Sequence, residues 1–290
     1  MTDELVPAMV KARARFMELV AEVRPELHRY CARMAGNVFD GEDVVQDTLA
    51  KAYFALCEMG EPPPLRGWLF RIAHNTAMDF LRRYERKHVD LVDDVPDAAP
   101  DERAPDPALV EAALTVFAAL PPIQRSAIVL KDVLDRSLEE TAQAMGTSVL
   151  AVKGALSRAR ANIAKASPDA SASADEHQRL RRYADLFNAH DWDGLRALMA
   201  DEARMDVVTR WQRRGSTATF YSRYAKIIVD EGLRAEPGFA DGLPVIAVYR
   251  PVSARPAYFI QLEWEAGRIV SVRDFYYVPY IADEVRFEPA

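Results

Sequence analysis

Residues 137–163 read SLEETAQAMGTSVLAVKGALSRARANI, and this stretch decides how the first half of the chain folds. Ser137 and Glu140 have the spacing of a capping box. The hydroxyl accepts from the amide three residues on, and the carboxylate reaches back to the amide of the cap. Leu138, Thr141, Ala142 and Met145 recur at i, i+3, i+4, i+7 and give a first helix one buried stripe. Gly146 suits the left-handed conformation that ends a helix, and Thr147 or Ser148 can cap the next one. That second helix buries Val149, Val152, Leu156, Ala159 and Ile163. Its other face carries Lys153, Ser157, Arg158, Arg160 and Lys165, with no acid between 147 and 165. A short helix, a glycine turn and a basic second helix are what entry into a DNA major groove requires. A helical hairpin with a solvated basic face would carry the same pattern.

Working outward, the 290 residues suffice for two or three domains, and 50% hydrophobic with 28% charged residues is ordinary globular composition. A net charge of −7 argues against indiscriminate coating of nucleic acid but leaves room for a local basic face. Cys31 and Cys57 are the only cysteines and form no CxxC. They predict neither disulfide nor zinc site, and both read as reduced core residues of a cytosolic protein. The start, MTDELVPAMVKARARF, lacks the apolar run of a leader, and no stretch approaches the ~18 apolar residues of a membrane span. A cytoplasmic protein without metal, cofactor or membrane partner is expected.

Toward the N-terminus, Leu5, Met9, Ala12, Phe16, Leu19, Val20 and Val23 recur at helical spacing, Pro25 predicts a break, and Leu27, Tyr30, Cys31 and Met34 continue the apolar face. Gly36-Asn37 reads as a stop. A further helix is expected from about Gly41, with Val44, Val45, Thr48, Leu49, Ala52 and Tyr53 inward and Glu42, Asp43, Gln46 and Asp47 outward. GEPPPLRG, 60–67, is a stiff loop, because prolines cannot continue a helix. In the next helix Trp68, Leu69, Ile72, Ala73, Thr76 and Phe80 face inward. Arg71, Asn75, Asp79, Arg82, Arg83 and Arg86 follow on another face, where arginines suit phosphates and Asn75 suits a base edge. A solvated helix with an Asp79–Arg83 pair is the plainer reading.

Residues 90–107, DLVDDVPDAAPDERAPDP, read as an acidic linker. Helices resume at 108–135, and SPDASASADE, 167–176, is a second boundary. Beyond it come a helix at 175–200, a strand at ARMDVVTRW, a helix at STATFYSRYAKIIV, and strand-like alternation from residue 243. Glu265-Ala266-Gly267-Arg268 is placed as a hairpin turn. Two helices, a strand, a helix and consecutive antiparallel strands describe an α+β domain.

Taken together, the first 165 residues resemble the extracytoplasmic-function sigma factors of the sigma-70 family. GEDVVQDTLAKAY resembles the D-x-x-Q-[DE]-[TA] core of region 2. RGWLFRIAHNTAMDFLRR resembles its W-L-x-x-I-A-x-N-x-x-x-D-x-x-R pattern. LPPIQRSAIVLKDVLDRSLEETAQAMGTSVLAVKGALSRAR resembles region 4, with L-P-x-x-x-R and a V-K-x-x-x-x-R-A-R recognition helix. The resemblance implies two all-α sigma domains, 1–89 and 108–166, joined by the 90–107 linker. It implies core RNA polymerase as partner, through the β′ clamp helices and the β flap. Asp43, Gln46 and Asp47 would face polymerase. Arg71, Asn75, Arg82 and Arg83 would hold the −10 element, Asn75 at a flipped base. Lys153, Gly154, Ser157 and Arg158 would meet the −35 element, Gly154 allowing close approach.

Residues 175–290 resemble the cone-shaped SnoaL-like, NTF2-like fold, on element order and HDWDGLRALMADEARMDVV. In that fold acid–base groups line the cone, which makes His190, Asp206, Tyr258, Arg273 and Asp274 pocket candidates. The expectation is a non-enzymatic tail that contacts the sigma domains and modulates them. Two other functions compete. A regulator that binds duplex DNA without polymerase would explain 137–163 but not 41–88. A ligand-binding or enzymatic protein would centre on the tail.

Overall fold

Caps and breakers written into the chain set where its helices begin and end. The computed structural model describes residues 14, 16–18, 20–59, 63–88, 109, 114–163, 174–208, 211–214 and 218–290. The 90–107 linker, residues 5, 9, 12 and 19 of the first apolar stripe, Lys165, the Arg86 side chain and most of 167–176 lie outside what is described. The chain divides into two compact units, Met1–Pro168 and Asp169–Ala290.

The first unit is helical. Helical residues run to Ala21, followed by α1 (Arg24–Ala35), α2 (Val38–Glu58), α3 (Leu65–His88), α4 (Leu114–Ala118) and α5 (Pro122–Ile128). A π-helical turn (Val129–Val133), α6 (Leu138–Met145) and α7 (Val149–Ile163) complete it. Pro25 sits in the first turn of α1, where a missing N–H is harmless. Gly36, at φ 90°, ends α1. Asn37 is not part of the stop: its side chain accepts from the Asp40 amide at 2.8 Å and caps α2, which therefore starts before Gly41. Gly41 lies within α2 at the crossing with α1. A Cβ there would stand 2.5 Å from the Ala32 Cα, so only glycine permits this approach.

Tyr30 and Met34 of α1, Val45 and Leu49 of α2, Leu69 and Ala73 of α3, Ala127 to Leu130, and Val152 and Leu156 of α7 belong to one buried cluster. Residues from 1–89 and from 108–166 thus share a single core. Each fully buried leucine or phenylalanine in it stabilises the fold by about 2–3 kcal/mol. Cys31 is buried there, and burial pushes its thiol pKa well up; Cys57 is exposed on α2, not a core residue.

The second unit carries α8 (Ala174–Asn188), α9 (Trp192–Ala197), β1 (Met199–Val207), β2 (Trp211–Arg214) and α10 (Ala218–Glu231). There follow β3 (Arg234–Ala240), β4 (Leu243–Tyr249), β5 (Tyr258–Glu265), β6 (Arg268–Asp274), α11 (Tyr280–Glu284) and β7 (Phe287–Pro289). The sheet order is β2-β1-β6-β5-β4-β3-β7, with β1 and β6 parallel. Ala266 and Gly267, both at positive φ, make the expected turn between β5 and β6. Leu180, Tyr183 and Phe187 of α8 pack on Met205, Ile260, Leu262 and Val272 of the sheet. The Asn188 side chain pins the end of α8 to β3, exchanging two 2.8 Å bonds with the Ala235 backbone. The result is the helix-on-sheet α+β arrangement the tail pattern implied.

Candidate functional site

The outward face of α2 is smaller than its sequence suggests. Asp43 and Asp47 are exposed and Gln46 half-buried. Glu42 is fully buried, ion-paired with Arg24 and reached by the Gln46 amide at 3.4 Å, so it leaves the acidic face. One turn on, Lys51 donates to Thr76 Oγ1 at 3.1 Å and faces Asp79 at 3.9 Å. Asp47, Lys51, Asp79, Arg82 and Arg83 line an open cleft of about 420 Å³ between α2 and α3. Arg83 meets Asp47 at 3.9 Å, whereas Asp79 pairs with Arg82 at 3.4 Å. Asp79 reaches Arg83 only through its backbone carbonyl, at 3.3 Å. Asp47, assigned from sequence to the polymerase face, therefore adjoins the arginines assigned to DNA. Arg71 and Asn75 are exposed on α3.

The helix pair at 137–163 forms as its caps direct. Ser137 and Glu140 complete the capping box, and the bond from the Ser137 amide lowers the Glu140 pKa. Gly146 turns at φ 65°, and Ser148 rather than Thr147 caps α7, accepting from the Ala151 amide at 3.2 Å. Lys153, Gly154, Ser157 and Arg158 share a half-exposed face. A Cβ at Gly154 would lie 3.5 Å from the Arg158 guanidinium, an ordinary contact, so the Arg158 side chain lies back along the helix over Gly154. Arg160 is not part of the face: it holds the buried Asp132 in two bonds of 2.8 and 2.9 Å.

Polar groups join the two halves of this unit. Tyr30 Oη, His74 Nδ1 and Ser126 Oγ, from α1, α3 and α5, form a buried triangle with edges of 3.1, 2.9 and 2.8 Å. Burial, then Arg71 and Arg82 on the same helix, hold the His74 pKa down at about 4 against an ordinary 6.5. Burial likewise pushes the Tyr30 hydroxyl up. Buried Arg125 donates to the carbonyls of Met34, Ala118 and Leu120. Glu26 bridges Arg66 and Arg136, and Arg136 lies 5.2 Å over the Phe70 ring. A Cβ at Gly146 would come within 3.7 Å of the Arg71 guanidinium, so the turn of the helix pair rests against α3.

Residues 19–87 match the family described as Sigma-70 region 2, and residues 111–163 match Sigma-70, region 4. A Mycobacterium tuberculosis protein, the ECF RNA polymerase sigma factor SigG, is 31% identical over 275 residues, spanning 82% of this chain and 74% of its own. The chain is an extracytoplasmic-function sigma factor of the sigma-70 family. It directs RNA polymerase to promoters. The M. tuberculosis SigM is 31% identical over 56% of this chain and 82% of its own. Among solved structures, the M. tuberculosis extracytoplasmic function sigma factor SigJ is 21% identical over 88% of this chain and 95% of that one, at a TM-score of 0.36. A putative polyketide cyclase from Sinorhizobium meliloti covers 34% of this chain at 18% identity and a TM-score of 0.28.

The sigma factor's tail does not gather its five pocket candidates. Tyr258 lies on the sheet face packed by α8, and Asp274, buried, is paired with Ile260 on that same face. Asp206 and Arg273 lie on the opposite face, as paired neighbours on β1 and β6. There Arg204 reaches Asp206 at 3.5 Å and Arg273 reaches Gln261 at 3.2 Å. His190, exposed at φ 55°, stacks on Trp192 in the α8–α9 turn. A separate cleft of about 440 Å³ is lined by Glu202, Arg204, Glu263, Val270 and Ser271. Sequence reasoning also passed over Lys51 and the triangle of Tyr30, His74 and Ser126. Lys51 follows Asp47 by one turn, a signal that could have found it. The triangle spans sequence separations of 44 to 96 and carries no local signal. Among the described residues no helix is long and apolar enough to cross a membrane, and no group of three metal-binding side chains occurs.

Proposed function

We propose that this sigma factor docks on the β′ clamp helices through Asp43, Gln46 and Asp47. Region 4 is held at the β flap. Arg71, Asn75, Arg82 and Arg83 hold the −10 strand, with Asn75 at a flipped base. Lys153, Gly154, Ser157 and Arg158 face the −35 groove. Residues 1–89 and 108–166 are the two promoter-reading parts, 90–107 the tether between them, and 175–290 a fused domain that contacts and tunes them. The setting is the cytoplasm. The observation that carries this reading is a division of polar groups. Glu42, Arg125, Asp132 and Arg160 are tied up inside the helical unit, while the assigned contact residues stay at its surface.

The same geometry adds a requirement. Elements centred about 25 base pairs apart are separated by roughly 85 Å of duplex axis, at about 3.4 Å per step. Arg71 and the Gly146 turn are in near contact. The arrangement with region 4 folded onto region 2 is therefore a closed one that opens when polymerase and promoter bind.

In-vitro transcription with core polymerase tests the assignment. Asp43→Ala with Gln46→Ala is expected to weaken core binding, whereas Asn75→Ala leaves core binding intact and lowers promoter opening. Unchanged core affinity in the double variant would remove the docking assignment. Unchanged opening with Asn75→Ala would remove the −10 assignment.

A further inference from the structure

Leu150 is 74% exposed, more so than Phe54 on α2 at 71%. It occupies the second position of α7, directly after the Ser148 cap and Val149. Val149, Val152 and Leu156 supply the apolar face that α7 turns to the core. The fold therefore has no use for a leucine at 150, and any good helix former would serve α7 there. Lys153, Gly154 and Ser157 follow at i+3, i+4 and i+7 and so share its side of the helix. The residue stands in the first turn of α7, on the side assigned to DNA, at the N-terminal end of a recognition helix, which is the end that meets base edges. Gly154, one turn on, has no side chain to block a close approach.

A major groove presents one apolar group, the 5-methyl of thymine; every other feature of the base edges is a hydrogen-bond donor or acceptor. We propose that Leu150 is a specificity residue of this sigma factor, reading a thymine of the −35 element by apolar contact with its 5-methyl group. The proposal rests on the reading that α7 lies on the −35 element. It adds an apolar contact to a face so far described only by Lys153, Gly154, Ser157 and Arg158.

The test uses the full chain with core polymerase on the strongest promoter recovered from transcription of a randomised library. Each thymine of the −35 duplex, on either strand, is replaced in turn by deoxyuridine, which deletes only the methyl. Wild type is expected to lose roughly fourfold in affinity at one position, the worth of one buried methyl group. Leu150→Ala is expected to bind the normal promoter with a similar loss and to be blind to deoxyuridine at that position. Its thermal unfolding should match wild type, since the side chain is exposed. Equal sensitivity of wild type and Leu150→Ala at every position would overturn the proposal. So would a wild type indifferent to every replacement. Lys153→Ala separates the underlying reading: if this variant still discriminates against a scrambled −35 element as wild type does, α7 is not the −35 reader and both fall.

Discussion

The helical unit and the sheet unit bury their polar groups in different ways. In the helical unit Tyr30, His74 and Ser126 come from three helices, and Arg125 gathers carbonyls from α1 and from the end of α4. In the sheet unit Asp206, Arg273 and Gln261 are neighbours across β1, β6 and β5, where ladder hydrogen bonds already fix the backbone. Polar groups of the first kind are joints between segments distant in sequence. Those of the second kind lie along strands already paired by ladder bonds, although the sheet unit also has one joint of the first kind, Asn188 of α8 to Ala235 of β3. A protein that rearranges is expected to do so at joints, because satisfied buried polar groups select one arrangement and become costly when half satisfied.

The sharpest way to break this comparison is to remove one group of each kind. Arg125→Ala strips three carbonyls of their donor and is expected to cost the helical unit about 3–5 kcal/mol. Arg273→Ala, whose losses include a 3.2 Å bond to Gln261 and the Phe275 ring beneath its guanidinium, is expected to cost the sheet unit less, about 1–2 kcal/mol. Calorimetry of the full chain measures both, and equal losses would erase the distinction.

A smaller effect concerns pH. When the unit unfolds, the His74 imidazole takes a proton near 6.5; in the folded unit it does so only near 4. Below pH 6.5 the unfolded form therefore binds more protons, and stability falls as pH drops, levelling off below about 4. This single group contributes about 3 kcal/mol across that window at most. His74→Asn, which keeps a hydrogen-bonding side chain without the titration, is expected to flatten the stability profile between pH 6.5 and 4. A profile as steep as wild type would assign that slope to other groups.

Much of the helical unit was legible in the chain because its signals are local. The Ser137–Glu140 box, the Gly146 stop and the apolar stripe of α7 each depend on residues within two turns. What escaped was pairing over distance. Glu42 reads as a surface acid until Arg24 is placed beside it, and Arg160 reads as a DNA contact until Asp132 is. The tail was less legible for two reasons. β3 contains Pro237 and Gly238, which argue against a strand; the close approach of Phe287 and Glu288 explains the glycine and is invisible in the local sequence. Strand side chains also alternate between faces, so Arg273 and Asp274, adjacent in sequence, cannot share a pocket.

The proposed opening of the helical unit can be blocked at one pair of positions. Gly67 and Gln143 are both exposed, and a Cβ at Gly67 would lie 3.9 Å from Gln143 Oε1. Gly67→Cys with Gln143→Cys, in a Cys57→Ser background, can be joined by a short bis-thiosulfonate bridge that reductant releases. Promoter-directed transcription is then measured before and after release. Opening as the required step predicts loss of transcription in the bridged protein and recovery on reduction. Transcription by the bridged protein at the released level would contradict it.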